Sequence, residues 1–377
     1  MNVLGIYLDN AATTPLSSEM KSYLSSILDI YGNPSSAHSI GVEANRLIER
    51  VREETARFIG ADNDSSVYFT SSASASNTLG IQGFALLNRC EILYPETLHK
   101  SALKTIENLN KYYDIETHIL AVDNCGNIIL DCLRWAMQTG VWRKLVVIDY
   151  ASSEIGTIQD IAEISKIVHQ YHGVLFVDCT GSISSIPLDV GDLKIDIASF
   201  SPHKIGGLKG VGVLYTKDDA LAPLVFGSQE RGLFAGTENT LGILSLGKAI
   251  DLMDYNKTSE NRDFVWHKIK DIKDTYLIGA PLEENRLLNN LNICIKGIKG
   301  SDIVALLDDI YKTQVSTGSA CNNGSSSPSP TLSAIGVDKE DVYSCIRISF
   351  SGKETKEDLQ EFCENLSTVI NMLRNNV

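Results

Sequence analysis

Between residues 66 and 215, short apolar runs alternate with stretches whose apolar positions recur at helical spacing. The strand-like runs are 67–70, 92–94, 145–148, 174–177, 195–200 and 211–215. Several are apolar throughout, as expected of strands covered on both faces. Between two of them, Ile161, Ile164, Val168 and Tyr171 mark one helical face, with Asp160 before it and Gly173 as a stop. A second helical segment spans 77–87, after the hydroxyl-rich run 70–76. This alternation predicts an α/β fold with a mostly parallel central sheet flanked by helices. Beyond about residue 255 the pattern becomes α+β, and Leu359, Phe362, Leu366, Val369, Ile370 and Leu373 line one face of a final helix. The expected division is a large unit at 12–254 and a smaller one built from 1–11 and 255–377. The segment 318–330, rich in Gly, Ser, Asn and Pro, reads as a mobile loop.

Composition narrows the field without naming a chemistry. The 377 residues are 43% hydrophobic and 21% charged, ordinary globular usage. The net charge of −14, with no basic block, argues against a nucleic-acid or anionic-membrane partner. The amino terminus has no basic region followed by a long apolar core, and no apolar run approaches bilayer length. A cytoplasmic location is expected. Eight cysteines, at 90, 125, 132, 179, 294, 321, 345 and 363, form no Cys-x-x-Cys pair, so neither a disulfide framework nor a metal site is anticipated.

The chemistry concentrates where strands end. The run 195–200 leads through Ser201, Pro202 and His203 to Lys204 and two glycines, which puts one lysine at the carboxyl edge of a sheet. A lysine there can condense with an aldehyde cofactor, of which pyridoxal phosphate is the usual one. Such a site also needs a carboxylate for the pyridine nitrogen, an anion cradle and a ring to stack. Asp178 ends the run 174–177, the hydroxyls and amides of 70–76 precede a helix, and His99 follows a strand. Gly207–Gly212 imitates a nucleotide fingerprint but leads into a strand, and His169 with His172 lacks further metal ligands.

Taken together, these motifs resemble the cysteine desulfurases of the class V aminotransferase superfamily. The likeness runs from Tyr7-Leu8-Asp9-Asn10-Ala11-Ala12 and Gly32-Asn33-Pro34 to Ser344-Cys345-Ile346-Arg347. The resemblance implies pyridoxal-phosphate-dependent transferase fold type I. It makes Lys204 the cofactor lysine, Asp178 the partner of the pyridine nitrogen and His99 the stacking ring. Ser72, Ala73, Ser74, Ser201 and His203 fall to the phosphate, Ser152 to the phenolic oxygen, and Arg347 with Asn33 to the substrate carboxylate. Thr237 matches a threonine that reaches the phosphate from a second subunit, so a homodimer is implied. Cys321, in Thr317-Gly318-Ser319-Ala320-Cys321, matches the cysteine that takes sulfur from L-cysteine as a persulfide and passes it to an acceptor protein. The chain departs from the pattern at Ser152-Ser153, where asparagines are usual, and at Gly181, where a glutamine is usual. Ser72, Ala75, Asn77, Leu98 and Phe234 also differ. The alternatives are a selenocysteine lyase or related β-lyase, and a desulfurase-like scaffold with little or no activity.

Overall fold

The computed structural model describes residues 5–140, 142–217, 221–255, 259–317 and 328–375. Seven strands form the larger sheet: β1 (Val67–Thr70), β2 (Cys90–Tyr94), β3 (Thr117–Ile119), β4 (Arg143–Asp149), β5 (Val174–Asp178), β6 (Ile197–Phe200) and β7 (Gly212–Thr216). Their order is β1-β7-β6-β5-β4-β2-β3. The pairs from β6 through β5, β4 and β2 to β3 are parallel, while β7 runs antiparallel to both β1 and β6.

Why the central strands are apolar at every position is visible in the packing. On β4 and β5, Val146, Ile148, Leu175 and Val177 enter one core, and Leu145, Val147, Val174 and Phe176 enter the other. The first core is closed by α2 (Ser39–Phe58), α5 (Leu130–Gln138), α6 (Ile161–Gln170) and α7 (Thr240–Asp251). The second lies under α3 (Ala73–Asn88) and α4 (Lys100–Tyr113). With neither face wet, the period-two alternation of a half-exposed strand disappears.

A three-stranded antiparallel sheet, β10-β9-β8, holds β8 (Thr275–Leu277), β9 (Asn290–Ile295) and β10 (Cys345–Ser349). Its own core receives α8 (Glu260–Ile269), α9 (Gly300–Tyr311) and α11 (Lys356–Asn375), the last through Leu359, Phe362, Leu366, Val369 and Ile370. A strap at residues 7–14 joins the two sheets. Leu8 N–H donates to the Gln314 carbonyl at 2.8 Å and the Leu8 carbonyl accepts from Ser349 N–H at 2.8 Å, while Thr14 N–H reaches the His203 carbonyl at 3.1 Å.

Two elements differ from the sequence expectation. The helix placed at 77–87 starts at Ala73, because the Ser72 side chain caps it by accepting from Ala75 N–H. The hydroxyl run is thus largely the first turn of α3 and only partly a loop. The edge strand β3 was not anticipated: its three residues are exposed or half-buried and carry no apolar run. Most of the loop expected at 318–330, Cys321 included, lies outside the described residues, and Pro330 opens the short helix α10 (Pro330–Ala334). No helix among the described residues is long and apolar enough to cross a membrane.

Candidate active site

Because β4, β5 and β6 are parallel, their carboxyl ends emerge on one edge. β4 ends in Asp149, β5 ends in Asp178, and β6 passes through Ser201 into a single 3-10 turn, Pro202–Lys204. A cavity of about 320 Å³ opens at that edge, with Asp149, Asp178 and Lys204 on its wall. This is where open α/β sheets collect ligands.

Asp178 is buried and well supplied with donors. Its Oδ2 accepts from Asn77 Nδ2 at 2.6 Å and its Oδ1 from Thr180 N–H at 2.8 Å. Asn77 is itself fixed, since its Oδ1 accepts from the Ser199 hydroxyl. A carboxylate anchored in this way can receive a protonated ring nitrogen without moving. Lys204 Nζ donates to the backbone carbonyls of Ala11 and of Ala12, the latter at 3.1 Å.

The amino end of α3 forms a wall suited to an anion. Ser72, Ala73 and Ser74 line the cavity at the first turn of this 16-residue helix, where backbone N–H groups and the helix dipole favour a phosphate. His203 stands on the same cavity. Burial, then the positive charges of Lys204 and Lys209, push its imidazole down to about 4. His203 is therefore neutral near pH 7, with Nδ1 within 3.2 Å of Thr13 Oγ1.

His99 caps α4, its Nδ1 accepting from Ser101 N–H at 3.2 Å, and its own N–H donates to Asp149 Oδ2 at 3.1 Å. Arg347 comes from β10 of the small sheet. Its Nη2 pairs with Asp9 Oδ1 at 2.7 Å and its Nη1 donates to the Ser153 carbonyl at 3.1 Å. Glu154 stands beside it, its carboxyl pushed up chiefly by burial.

Of the residues singled out from sequence, the structure gathers Lys204, Asp178, His99, Ser72, Ala73, Ser74, Ser152, His203 and Arg347 around this one cavity. Ser201 is not on its wall: it is buried, with its hydroxyl committed to the Val211 carbonyl at 2.7 Å, which ties the exit of β6 to the start of β7. Asn33 is exposed and is not on the wall of this cavity, and its Oδ1 closes a local turn by accepting from Ser35 N–H at 2.9 Å. Thr237 lines a separate pocket of about 230 Å³ with Glu230 and Phe234. Cys321 lies outside the described residues, but both flanks of its segment touch the site. Ser316 exchanges backbone hydrogen bonds with Arg347, and Pro330 and Thr331 line the cavity.

Sequence reasoning missed the roles of Asn77, Asp149, Thr180 and the strap carbonyls. Asp149 alone carried a readable signal, since like Asp178 it ends an apolar strand. Elsewhere, Glu91, Glu116 and His118 come within 4.8 Å of one another, but the Lys144 ammonium already pairs with Glu91 and opposes a cation there.

Residues 6–362 match the aminotransferase class-V family, and the chain belongs to it. It is 38% identical to a cysteine desulfurase IscS of Dictyoglomus turgidum over 98% of this chain and 95% of the other. Among solved structures, a NifS-like protein superposes with a TM-score of 0.89 at 30% identity, covering 98% of this chain and 100% of its own. Another, SspA in complex with cysteine, gives 0.79 at 28% identity over 93% and 100%.

Proposed function

We propose that the protein is a pyridoxal-phosphate-dependent cysteine desulfurase that converts L-cysteine to L-alanine and leaves a persulfide on Cys321. The observation that carries this reading is the convergence of Lys204, Asp178 and Arg347 on one cavity at the carboxyl ends of adjoining strands. The residues present fit the cofactor: an amine for the aldehyde, a donor-anchored carboxylate for the ring nitrogen, and a helix start with neutral His203 for the phosphate. Bound there, pyridoxal phosphate would supply an electron sink for the substrate carbons.

The chain's own residues do the rest. Arg347 holds the substrate carboxylate with its planar fork. Lys204 Nζ takes the proton from the substrate Cα, and His99 stands ready to pass a proton near it. The Cys321 thiolate forms an S–S bond with the substrate sulfur while the carbon–sulfur bond breaks. The electron pair of that bond stays on carbon, which takes a proton and leaves as alanine. The likeness to a chain solved with cysteine supports the choice of substrate. We further assign the protein to a cytoplasmic homodimer in which Thr237 serves the phosphate of the partner copy and an acceptor protein collects the sulfur. The seven cysteines among the described residues are all free, as a reducing compartment would leave them. The large unit is taken as 12–254 and the small one as 1–11 with 255–377.

The test is direct. Protein loaded with pyridoxal phosphate and reduced with borohydride should carry the label on Lys204, and cysteine should yield alanine with a persulfide on Cys321. A label placed elsewhere, or a Cys321→Ser protein that still makes alanine and sulfide at full rate, would sink the reading.

A further inference from the structure

Asp149 has no part in the chemistry described so far, yet it sits in the middle of it. It is the Cα partner of Asp178 in the parallel β4–β5 register, so the two side chains leave the sheet side by side. Both line the same cavity. Their supply of donors differs sharply. Asp178 has a donor on each oxygen, from Asn77 and from Thr180. Asp149 has one, the His99 N–H on Oδ2, and its Oδ1 is buried with no partner among the described residues.

Two neighbouring carboxylates shielded from water do not both ionise without a large cost, and the one with more donors keeps the charge. Among the described residues no cation is bonded to Asp149, although Lys100, next to His99, lines the same cavity. From β5, Asp149 faces Asp178 and the buried thiol of Cys179, which burial first and then the neighbouring Asp178 push up. From the start of α4 it meets the His99 amide, and from α3 the neutral Asn77 lies against Asp178. Lys204 and Arg347 line the same cavity but are bound to the strap, at the Ala11 and Ala12 carbonyls and at Asp9. Burial, then the charge of Asp178, hold the Asp149 carboxyl well above the usual carboxylate range.

We propose that Asp149 is a second acid of the pocket and a positioning residue for His99, holding a proton on Oδ1 beside the Asp178 carboxylate. The pair then presents one negative charge to a bound ring nitrogen instead of two, and offers an O–H donor next to it. Oδ2 stays free to accept from the His99 amide and so fixes where α4 begins and where the His99 ring stands. The inference rests on the proposed cofactor for its second test only.

The first test uses the cofactor-free protein. Asp149→Asn reproduces the shape and hydrogen bonding of the protonated acid at every pH. A carboxyl whose folded pKa is raised loses its proton in the unfolded chain first, so folding stability declines as pH climbs from about 4 through the raised value. Thermal midpoints measured from about pH 4 to about pH 9 should therefore fall more steeply for the wild type than for Asp149→Asn. The variant should be the more stable by several degrees at the alkaline end, with the gap closing at the acidic end. Superimposable profiles would overturn the proposal. The second test titrates pyridoxal phosphate near neutral pH by fluorescence. Asp149→Asn should bind within about threefold of wild type, and Asp149→Leu, which gives the His99 amide no acceptor, should bind about tenfold more weakly. Equal losses in the two variants would mean that the negative charge is used, which also overturns it. If no form binds the cofactor, the functional reading fails while the stability profiles still decide the proton.

Discussion

At the scale of single residues, the site works by setting charge states through burial. His203 is the clearest case: with its imidazole pushed down to about 4, the folded protein resists a proton that the unfolded chain accepts near pH 6.5. Stability should therefore be lost as pH falls from about 6.5 towards about 4. His203→Asn should flatten that part of the acid profile of the cofactor-free protein, as measured by denaturant midpoints. The effect should be about 1–2 kcal/mol, below the full linkage value because the imidazole is only partly withdrawn from water. How much of this site could be read in advance depends on the kind of signal. Lys204 and Asp178 end apolar runs, and a strand end on the ligand edge is visible in one dimension. Asn77 and Thr180 matter only through the oxygens they donate to, and those contacts exist only after folding. Ser201 and Asn33 look suitable by type, and only the folded chain shows the Ser201 hydroxyl on the Val211 carbonyl and the Asn33 Oδ1 in a local turn.

At the scale of elements, the region between β7 and α7 is held by a pair that no periodicity reveals. Arg52 on α2 donates to both oxygens of Glu230, at 2.8 and 3.0 Å, and to the Val67 carbonyl, while Glu230 Oε2 also accepts from Phe69 N–H. Both side chains are almost wholly withdrawn from water. Glu230 and Arg231 adopt φ values of 45° and 55°, a region that non-glycine residues occupy only when neighbours hold them. Glu230→Ala would leave the buried Phe69 amide without its acceptor and Arg52 with only Glu49 and the Val67 carbonyl. It should lower unfolding free energy by about 2–3 kcal/mol, measured by denaturant titration. A loss under about 1 kcal/mol would show that water reaches Arg52. Partners 178 positions apart cannot be matched from composition or spacing. The central strands were legible for the opposite reason, because burial on both faces writes itself into every residue of β4 and β5. The start of α3 was misjudged because Ala73, Ser74 and Ala75 suit a polar loop and a capped first turn equally well.

For the molecule as a whole, the cavity is a meeting of two sheets. Asp178 and Lys204 come from the large one, and Arg347 comes from the small one. Arg347→Lys would keep the charge but lose the planar fork, whose ends now reach Asp9 and the Ser153 carbonyl and would together grip a substrate carboxylate. KM for cysteine should rise about tenfold or more, with a smaller change in kcat, in steady-state assays of alanine release. A fall in kcat alone would place Arg347 in the chemical step instead.

The strap at residues 7–14 gives this meeting a mechanical side. Asp9 is the present companion of Arg347, and two residues later the chain offers the Ala11 carbonyl to the Lys204 amine. Under the proposed function, an amine that releases its partner and reclaims it in every cycle would find its berth at these carbonyls. A substrate carboxylate that drew Arg347 off Asp9 would tug on the same cord from which that berth hangs.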